Sequence, residues 1–594
     1  MTDVVSFTAS AALAGGIGAQ VNVIVDGKVI GSATVGTATQ TYAFNTTLAT
    51  GVGHDIQIQY VNDTVANGED RNLYLKSIGI NGQTVSATGS SEVYHSQAGG
   101  GPGDLAGNGN MYWNGAAEFS LPASMFPGSG GSAPPPPPPP PPPASAAFYV
   151  STSGSDSSGD GSAAHPFASL NKALSAMQGS STVHTTYLEG GTYHLGATVN
   201  VGSGNNGDTI ASVPGRQAVL DGGGSLSSLI SLNGATGVTV QGLTFQNTNA
   251  GSRAALVLSG GGGNHIVANH FANNGEGMLV SGSSNNSVTG NELDNSHSSA
   301  IEVQNGSSGN TFDSNLINGT GAIGTAGGGF FLHGASNNVI SHNQVENTAG
   351  IGIGIENWDS NTVNVGNSVI DNVLKNNGTS SQSTDSGAIY MLGRSGGNTQ
   401  TTISGNDIST SISGASHPQI VSIYLDDLTS GVTITNNIVA DTIDHSLQIH
   451  GGSNIDVQNN IFDLGADSGS SWGWDTAVLF QSMSGHAMTN NTFAHNIIAS
   501  TSPTPAAYAN LAGGNPTVDG NFYMDLVNSH FQVFGDPVPE TNAHFGNVLF
   551  ANQAGGNYTM AGNSPALAAG FHNIDQSVMG LHPTGAHWYS LPAV

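Results

Sequence analysis

Cysteine is absent from the 594-residue sequence, which excludes disulfides and thiol chemistry without identifying a compartment. Charge is scarce: 8% of residues are Asp, Glu, Lys or Arg, against roughly 25% in an average soluble protein. Positive charge is scarcest, with 8 Lys+Arg against 38 Asp+Glu and a formal net charge of -30. Nucleic acid and anionic membrane surfaces, which are held through Lys and Arg, are therefore poor partners. An acidic balance suits Ca²⁺ binding and solubility outside the cell. No apolar run is long enough to span a bilayer. The opening residues, MTDVVSFTASAAL, carry neither a basic n-region nor an adequate apolar core, so no Sec-type signal is read there. The expectation is a secreted monomer, exported without such a signal or with its signal outside this sequence.

What fills the chain instead is Gly, 86 of them, with Asn, Ser and Thr. In residues 1–128, alternating runs such as VNVIVDG, TQTYAFN, HDIQIQYVN and NLYLKSIGING are separated by Gly, Asn and Asp turns. That period of two predicts a small antiparallel β-sandwich. Asp63, Glu69, Asp70 and Asn72 crowd the loop of YVNDTVANGEDRNLYLKSIGING, and oxygen ligands in a flexible loop are what Ca²⁺ prefers. The alternative is that these residues only shape turns. The stretch resembles the calcium-dependent xylan-binding modules, whose ND…DRNLYV…I…NG signature it nearly reproduces over residues 20–125. In that family the bound Ca²⁺ meets sugar hydroxyls directly. The resemblance thus implies Asp63, Asp70 and Asn72 as metal and sugar ligands, with Asp104 and Trp113 as weaker candidates.

Residues 129–147 read as a linker, with ten consecutive prolines at 134–143. Polyproline II rises ~3.1 Å per residue, so they form a semi-rigid spacer of about 30 Å. A module tethered in this way raises the local concentration of a second site on a shared polymer.

Residues 148–594 open with a short strand, an Asp/Gly/Ser loop containing Asp156 and Asp160, and an amphipathic helix with Leu170, Ala173, Leu174 and Met177 on one face. Such a helix can cover the open end of a stacked sheet. A repeat follows, marked by Asn269, Asn291, Asn315, Asn343, Asn367, Asn406, Asn436, Asn459 and Asn491. Its shortest spacings, 22 to 24 residues, are one coil of a parallel β-helix. One coil cannot bury its inward side chains, whereas a stack can, and an Asn at a fixed bend can form a hydrogen-bonded ladder. The predicted class is all-β: a right-handed parallel β-helix preceded by a sandwich. Near residue 562, GNSPALAAGF reads as a last coil, and HWYSLPAV as a cover for the C-terminal end.

One strand aligns through the coils without gaps: LVLS, MLVS, IEVQ, FFLH, IGIE, IYML, IYLD, LQIH and VLFQ. First and third positions are nearly all apolar and face inward. The outward fourth position runs Ser259, Ser281, Gln304, His333, Glu356, Leu392, Asp426, His450 and Gln481. It changes from small and neutral to titratable and back. Tyr390 and Tyr424, at the second position, lie beside the titratable segment. In a chain this poor in charge, that convergence predicts a functional cleft. Glycoside hydrolysis needs two carboxyl groups flanking the bond. Glu356 and Asp426 are two coils apart, roughly 9.6 Å by the strand spacing. Asp385 begins DSGAIY one coil before Asp426, and Asp427 is expected to point away or into the turn. His333 and His450 are placed to orient carboxylates or bind hydroxyls, and Glu356 is expected, like them, to support sugar binding. Arg394 is suited to an acidic sugar or to lowering a neighbour's pKa, and Trp358, Trp472 and Trp474 to stacking on sugar rings.

DSGAIY, YLDDLTSGVTITNNIV and IHGGSNIDVQNNIF resemble, in that order, the D-G-G-A-I-Y, Y-L-D-D-G-x-S-G and I-H-G-G-x-N segments of β-helix glycoside hydrolases of the xylanase and α-L-fucosidase type. The resemblance covers residues 350–465 and implies Asp385 and Asp426 as the catalytic carboxylates, with no cofactor for catalysis. Ser386 and Leu428 stand where the pattern has Gly. Two other readings remain. A lyase or epimerase on this fold would abstract a proton beside a uronate, and His450, Tyr424 and Arg394 are its candidates. A non-catalytic adhesin would bind polysaccharide through both domains. Fold alone does not choose among them.

Overall fold

The computed structural model describes residues 3–588 apart from 38, 47, 49–53, 67–68, 81–82, 88–91, 97–103, 107–108, 122–146, 252–253, 322–326, 359–363, 381–385, 410–419, 442–444, 466–474, 501–504, 512–514, 526–530 and 583–586. The chain splits into two compact units, Met1–Pro139 and Pro140–Val594. The polyproline segment lies outside the described residues. No helix among the described residues is long and apolar enough to cross a membrane.

The first unit is two antiparallel sheets around one core. Alternation drives it: the strand Ala19–Val25 buries every second residue, and His54–Tyr60 does the same. Val5, Phe7, Val21, Val23, Ile56, Ile58, Tyr60, Leu73, Leu75 and Phe119 from both sheets share the interior.

The second unit stacks three parallel sheets of 14, 14 and 13 strands, each strand pairing with its equivalent one coil later. A parallel strand cannot pair with its neighbour through a tight hairpin, so each coil passes through all three sheets before returning. The inward residues Phe245, Phe271, Phe312, Phe330 and Phe462 belong to one continuous core. The helix Leu170–Gln178, capped by Ser169, buries Leu170, Ala173, Leu174 and Met177 into it, as its periodicity predicted. Asp156 accepts hydrogen bonds from the backbone of Ala168 and Ser169 and from the Ser169 hydroxyl, and Asp160 from Ser162 N–H. Both are turn-shaping residues.

The asparagine repeat resolves into two ladders rather than one. One runs Asn269, Asn291, Asn315, Asn343, Asn372, Asn406, Asn437, Asn460, Asn496 and Asn521, each carbonyl oxygen accepting from the side-chain amide of the Asn one coil before. The other runs Asn264, Asn286, Asn310, Asn338 and Asn367. Asn367 thus belongs to the second series. Asn436 and Asn459 occupy the left-handed backbone position just before a rung. Asn491 is hydrogen-bonded to Ile455 N–H and the Gly452 carbonyl, outside the first ladder. Spacing alone could not separate the series because both advance by the same number of residues per coil. Glu540 ends the first ladder, accepting from the Asn521 amide and the Tyr523 hydroxyl where a further Asn would stand.

The C-terminal segment also departs from expectation. Residues Pro565–Ala568 form a short helix, not a coil. They pack with Val548, Tyr558, Met560, Phe571 and Ile574 over the outer face of the second sheet. The tail then runs back along the stack: Gly580 N–H donates to Asp371 O and Trp588 N–H to Gly290 O. Trp588 therefore does not cover the C-terminal end, and residues 589–594 lie outside the described residues.

Candidate active site on the third sheet

The third sheet realises the gap-free alignment. Its pairings place Ser259, Ser281, Gln304, His333, Glu356, Leu392 and Asp426 in one column. Leu425 beside Ile449 sets His450 next in line, followed by Gln481. Alternation sends these side chains away from the core. Phe331, Ile351, Tyr390, Leu392, Val421 and Tyr424 nevertheless form a buried cluster of their own. The sheet's outer face is therefore a covered surface in these coils.

Asp426 ends the strand Ile420–Asp426 and is 5% exposed. Its Oδ2 accepts from the Tyr390 hydroxyl at 2.8 Å. Its Oδ1 accepts from Asp427 N–H at 2.8 Å and lies 2.7 Å from His450 Nδ1. Burial alone would raise this carboxyl, but the donors His450, Tyr390 and Asp427 N–H outweigh it and hold Asp426 below the usual carboxylate range. Because the carboxylate accepts, Nδ1 is the protonated nitrogen of His450. Tyr424 meets Tyr390 edge-on, with ring centroids 5.3 Å apart, and fixes the ring that bonds Asp426.

Glu356 is also 5% exposed, but its surroundings act the other way. Burial pushes its carboxyl up, and among the described residues the one lowering contribution is the Trp358 indole N–H, 2.6 Å from Oε2. Trp358 is 59% exposed. The Arg394 guanidinium lies over its ring, 4.7 Å from the centroid, and Arg394 Nε donates to Asp427 Oδ2 at 3.3 Å. Of the two placements expected for Asp427, away or into the turn, the structure has the turn, and from there its carboxylate meets Arg394. Its backbone is left-handed (φ 39°), as is that of Leu428 (φ 68°), and this turn swings the carboxylate to 3.9 Å from His450 Nδ1. Alternation does not hold once the strand has ended. Glu356, Trp358, Arg394, Asp427, His450, Asp426 and Tyr390 thus form one linked chain of contacts. His333, one strand before Glu356, stacks on Phe331 and is kept neutral by burial, which lowers its pKa.

Asp385 lies outside the described residues, as do Trp472 and Trp474. The adjacent Ser386 has a buried hydroxyl with no hydrogen-bond partner among the described residues. Sequence reasoning missed His445, which lies outside the four-residue frame used for alignment. It is fully buried, pairs in register with Thr476, lies 2.8 Å from that hydroxyl, and has its pKa pushed down to about 3 by burial. The available signal was the polar pair His445 and Ser446 immediately before the aligned LQIH frame.

In the first unit, Asp63 is raised by burial and then by the nearby Asp70, with Arg71 offsetting part. The Arg71 guanidinium donates to the carbonyls of Ala14, Ile17 and Asn62, so this motif Arg holds the loop together. Asn72 is 8% exposed, and its Oδ1 is buried with no donor facing it among the described residues. Two mutually repelling carboxylates beside an unsatisfied amide oxygen are an oxygen-only donor set that fits Ca²⁺. Trp113 packs partly against the core and edge-on to Tyr112. Nothing is described of the Asp104 or Glu69 side chains.

Residues 4–95 match the family described as a Ca-dependent, xylan-binding carbohydrate-binding module, and residues 228–408 match that of the right-handed β-helix region. No curated protein matches the sequence. Similar solved structures include a carbohydrate-binding module in complex with galactobiose (24% identity, 20% of this chain and 97% of that one, TM-score 0.16). Also similar are the complex of XylC with xylose (12% identity, 67% and 86%, TM-score 0.44) and the catalytic domain of a GH87 α-1,3-glucanase with nigerose (12% identity, 94% and 88%, TM-score 0.33). The chain thus joins a β-sandwich that matches the module family described as Ca-dependent and xylan-binding to a right-handed parallel β-helix.

Proposed function

We propose that this is an extracellular, polysaccharide-degrading glycoside hydrolase, held on xylan-type glycans by its N-terminal module. The observation that carries the hydrolytic reading is the pair Glu356 and Asp426. They share one covered sheet face, and their surroundings push their protonation in opposite directions. Cleaving a glycosidic bond takes a carboxylic acid to protonate the leaving oxygen and a carboxylate on the opposite side. Glu356 is suited to the first role and Asp426 to the second. Two strand spacings, about 9.6 Å, lie at the upper edge of the roughly 6.5–9.5 Å of inverting enzymes. Asp385 competes with Glu356 as partner of Asp426, on the strength of the DSGAIY motif. His450 and Tyr390 position Asp426, while Trp358, Arg394, Asp427, Tyr424 and His333 line the sugar's path. In the module, Asp63, Asp70 and Asn72 would hold Ca²⁺, which when bound offers coordination to sugar hydroxyls.

The test measures reducing-end release, with absorbance at the unsaturated-uronate band, on xylans, pectins and fucosylated glycans. Wild type is compared with Asp426→Asn, Glu356→Gln and Asp385→Asn. Reducing ends without new absorbance, lost in Asp426→Asn, are expected. An aryl glycoside with a good leaving group identifies the acid, because only the acid variant regains turnover on it. New absorbance would establish a lyase instead. Silence across the panel with calcium-dependent binding intact would leave a binding protein.

A further inference from the structure

The second sheet carries a cluster that the hydrolytic site does not use. The strands His270–Ala272 and Glu292–Asp294 are neighbours, pairing His270 with Glu292 and Ala272 with Asp294. Phe271 and Leu293 point into the core, so His270, Glu292 and Asp294 share the outer face by alternation. His270 Nε2 lies 3.0 Å from Asp294 Oδ2. One ligand atom from each of the three residues lies within 4.8 Å of the others. All three side chains are half-buried. The Trp588 ring lies flat against the imidazole, 5.6 Å between centroids and 19° between planes. With the Trp588 N–H tied to Gly290 O, the returning tail holds that ring in place.

We propose that His270, Glu292 and Asp294 bind one divalent cation of the zinc type. Ca²⁺ takes oxygen ligands, whereas an imidazole nitrogen with two carboxylates suits zinc. Bonds of 2.0–2.2 Å put tetrahedral ligands about 3.4 Å apart, so the present cluster needs only a small adjustment. Three protein ligands leave a fourth position for water. Because Trp588 rests on the ligand imidazole, the metal would also fasten the C-terminal tail to these coils.

The full-length protein is titrated with CoCl₂, which reports tetrahedral coordination by visible absorption, and with ZnCl₂ by calorimetry. The chain has 20 His, so the readout is the difference between wild type and variants whose far-ultraviolet circular dichroism matches. One equivalent of Co²⁺ with tetrahedral bands is expected. It should be absent in His270→Ala, bound at least tenfold more weakly by Glu292→Gln, and undisturbed by excess Ca²⁺. Equal stoichiometry in wild type and His270→Ala would overturn the site. Unchanged affinity in Glu292→Gln would remove that ligand and the proposal with it, and displacement by Ca²⁺ would overturn the zinc-type assignment. Glycan turnover is not a readout, so failure here and failure of the hydrolase reading are distinguishable.

Discussion

Two pairs of carboxylates in this chain are built to opposite ends. In the N-terminal loop, burial and then the neighbouring Asp70 raise the Asp63 carboxyl, and the Oδ1 of Asn72 is unsatisfied among the described residues. On the third sheet, Asp426 is provided with three hydrogen-bond donors, while Glu356, two strands away, has one among the described residues and is otherwise raised by burial. The first arrangement is offset only in part, by Arg71, and suits a cation. The second divides one acid and one base between two environments and suits proton transfer. Carboxylate count does not distinguish them; the donors around each oxygen do.

The largest effect should come from Asp426→Asn, which keeps the shape but removes the ionised oxygen. Turnover of the preferred glycan is expected to fall on the order of 10²–10⁴-fold, with calcium-dependent binding to insoluble xylan unchanged. Equal loss of both functions would dissolve the distinction between the two sites. The converse change, Asp63→Asn, should abolish calcium-dependent retention on insoluble xylan and leave turnover of short soluble oligosaccharides as it was. Retention that survives would show that the loop carboxylates are not the metal's ligands.

Smaller effects sharpen the comparison through pH. The His450 contact lowers Asp426, so His450→Ala raises that carboxyl and moves the acid limb of the kcat/KM profile upward. The Trp358 indole lowers Glu356, so Trp358→Phe raises it and moves the alkaline limb upward. The first variant narrows the bell and the second widens it. Shifts of the same limb in both variants would contradict the assignment of acid and base.

The smallest expected effect is on stability. Glu356 has its folded-state pKa raised. The stability it contributes is full below the unfolded pKa and is lost as pH rises through the folded value. Glu356→Gln should therefore match wild type in acid and melt higher above that window, on the order of 1 °C. A variant less stable at neutral pH would mean that Glu356 is held ionised.

Much of this was legible in the chain. The third-sheet register followed from period-two alternation alone, because a one-residue slip would have turned every apolar side chain outward. The column from His333 to His450 was readable for the same reason, and the helix over Leu170, Ala173, Leu174 and Met177 from its own period. The asparagine ladders were misassigned because two series advance in step. The direction of Asp427 was left open because its left-handed backbone breaks the alternation that placed its neighbours. The Trp358–Glu356 and Trp358–Arg394 contacts lie in turns and side-chain reach, where no periodicity applies.

Local periodicity thus determined, from sequence by itself, that this chain would stack coils and which residues would share each face. It also determined that the scarce charge would gather on a few of them. Tertiary structure decided what those charges became. Protonation depends on which donors surround an oxygen, and donors such as the Tyr390 hydroxyl and the His450 imidazole arrive from coils 36 and 24 residues away from Asp426. The place of Trp588 was decided in the same way, because a tail has no repeat to register it and settles where the folded surface offers a partner.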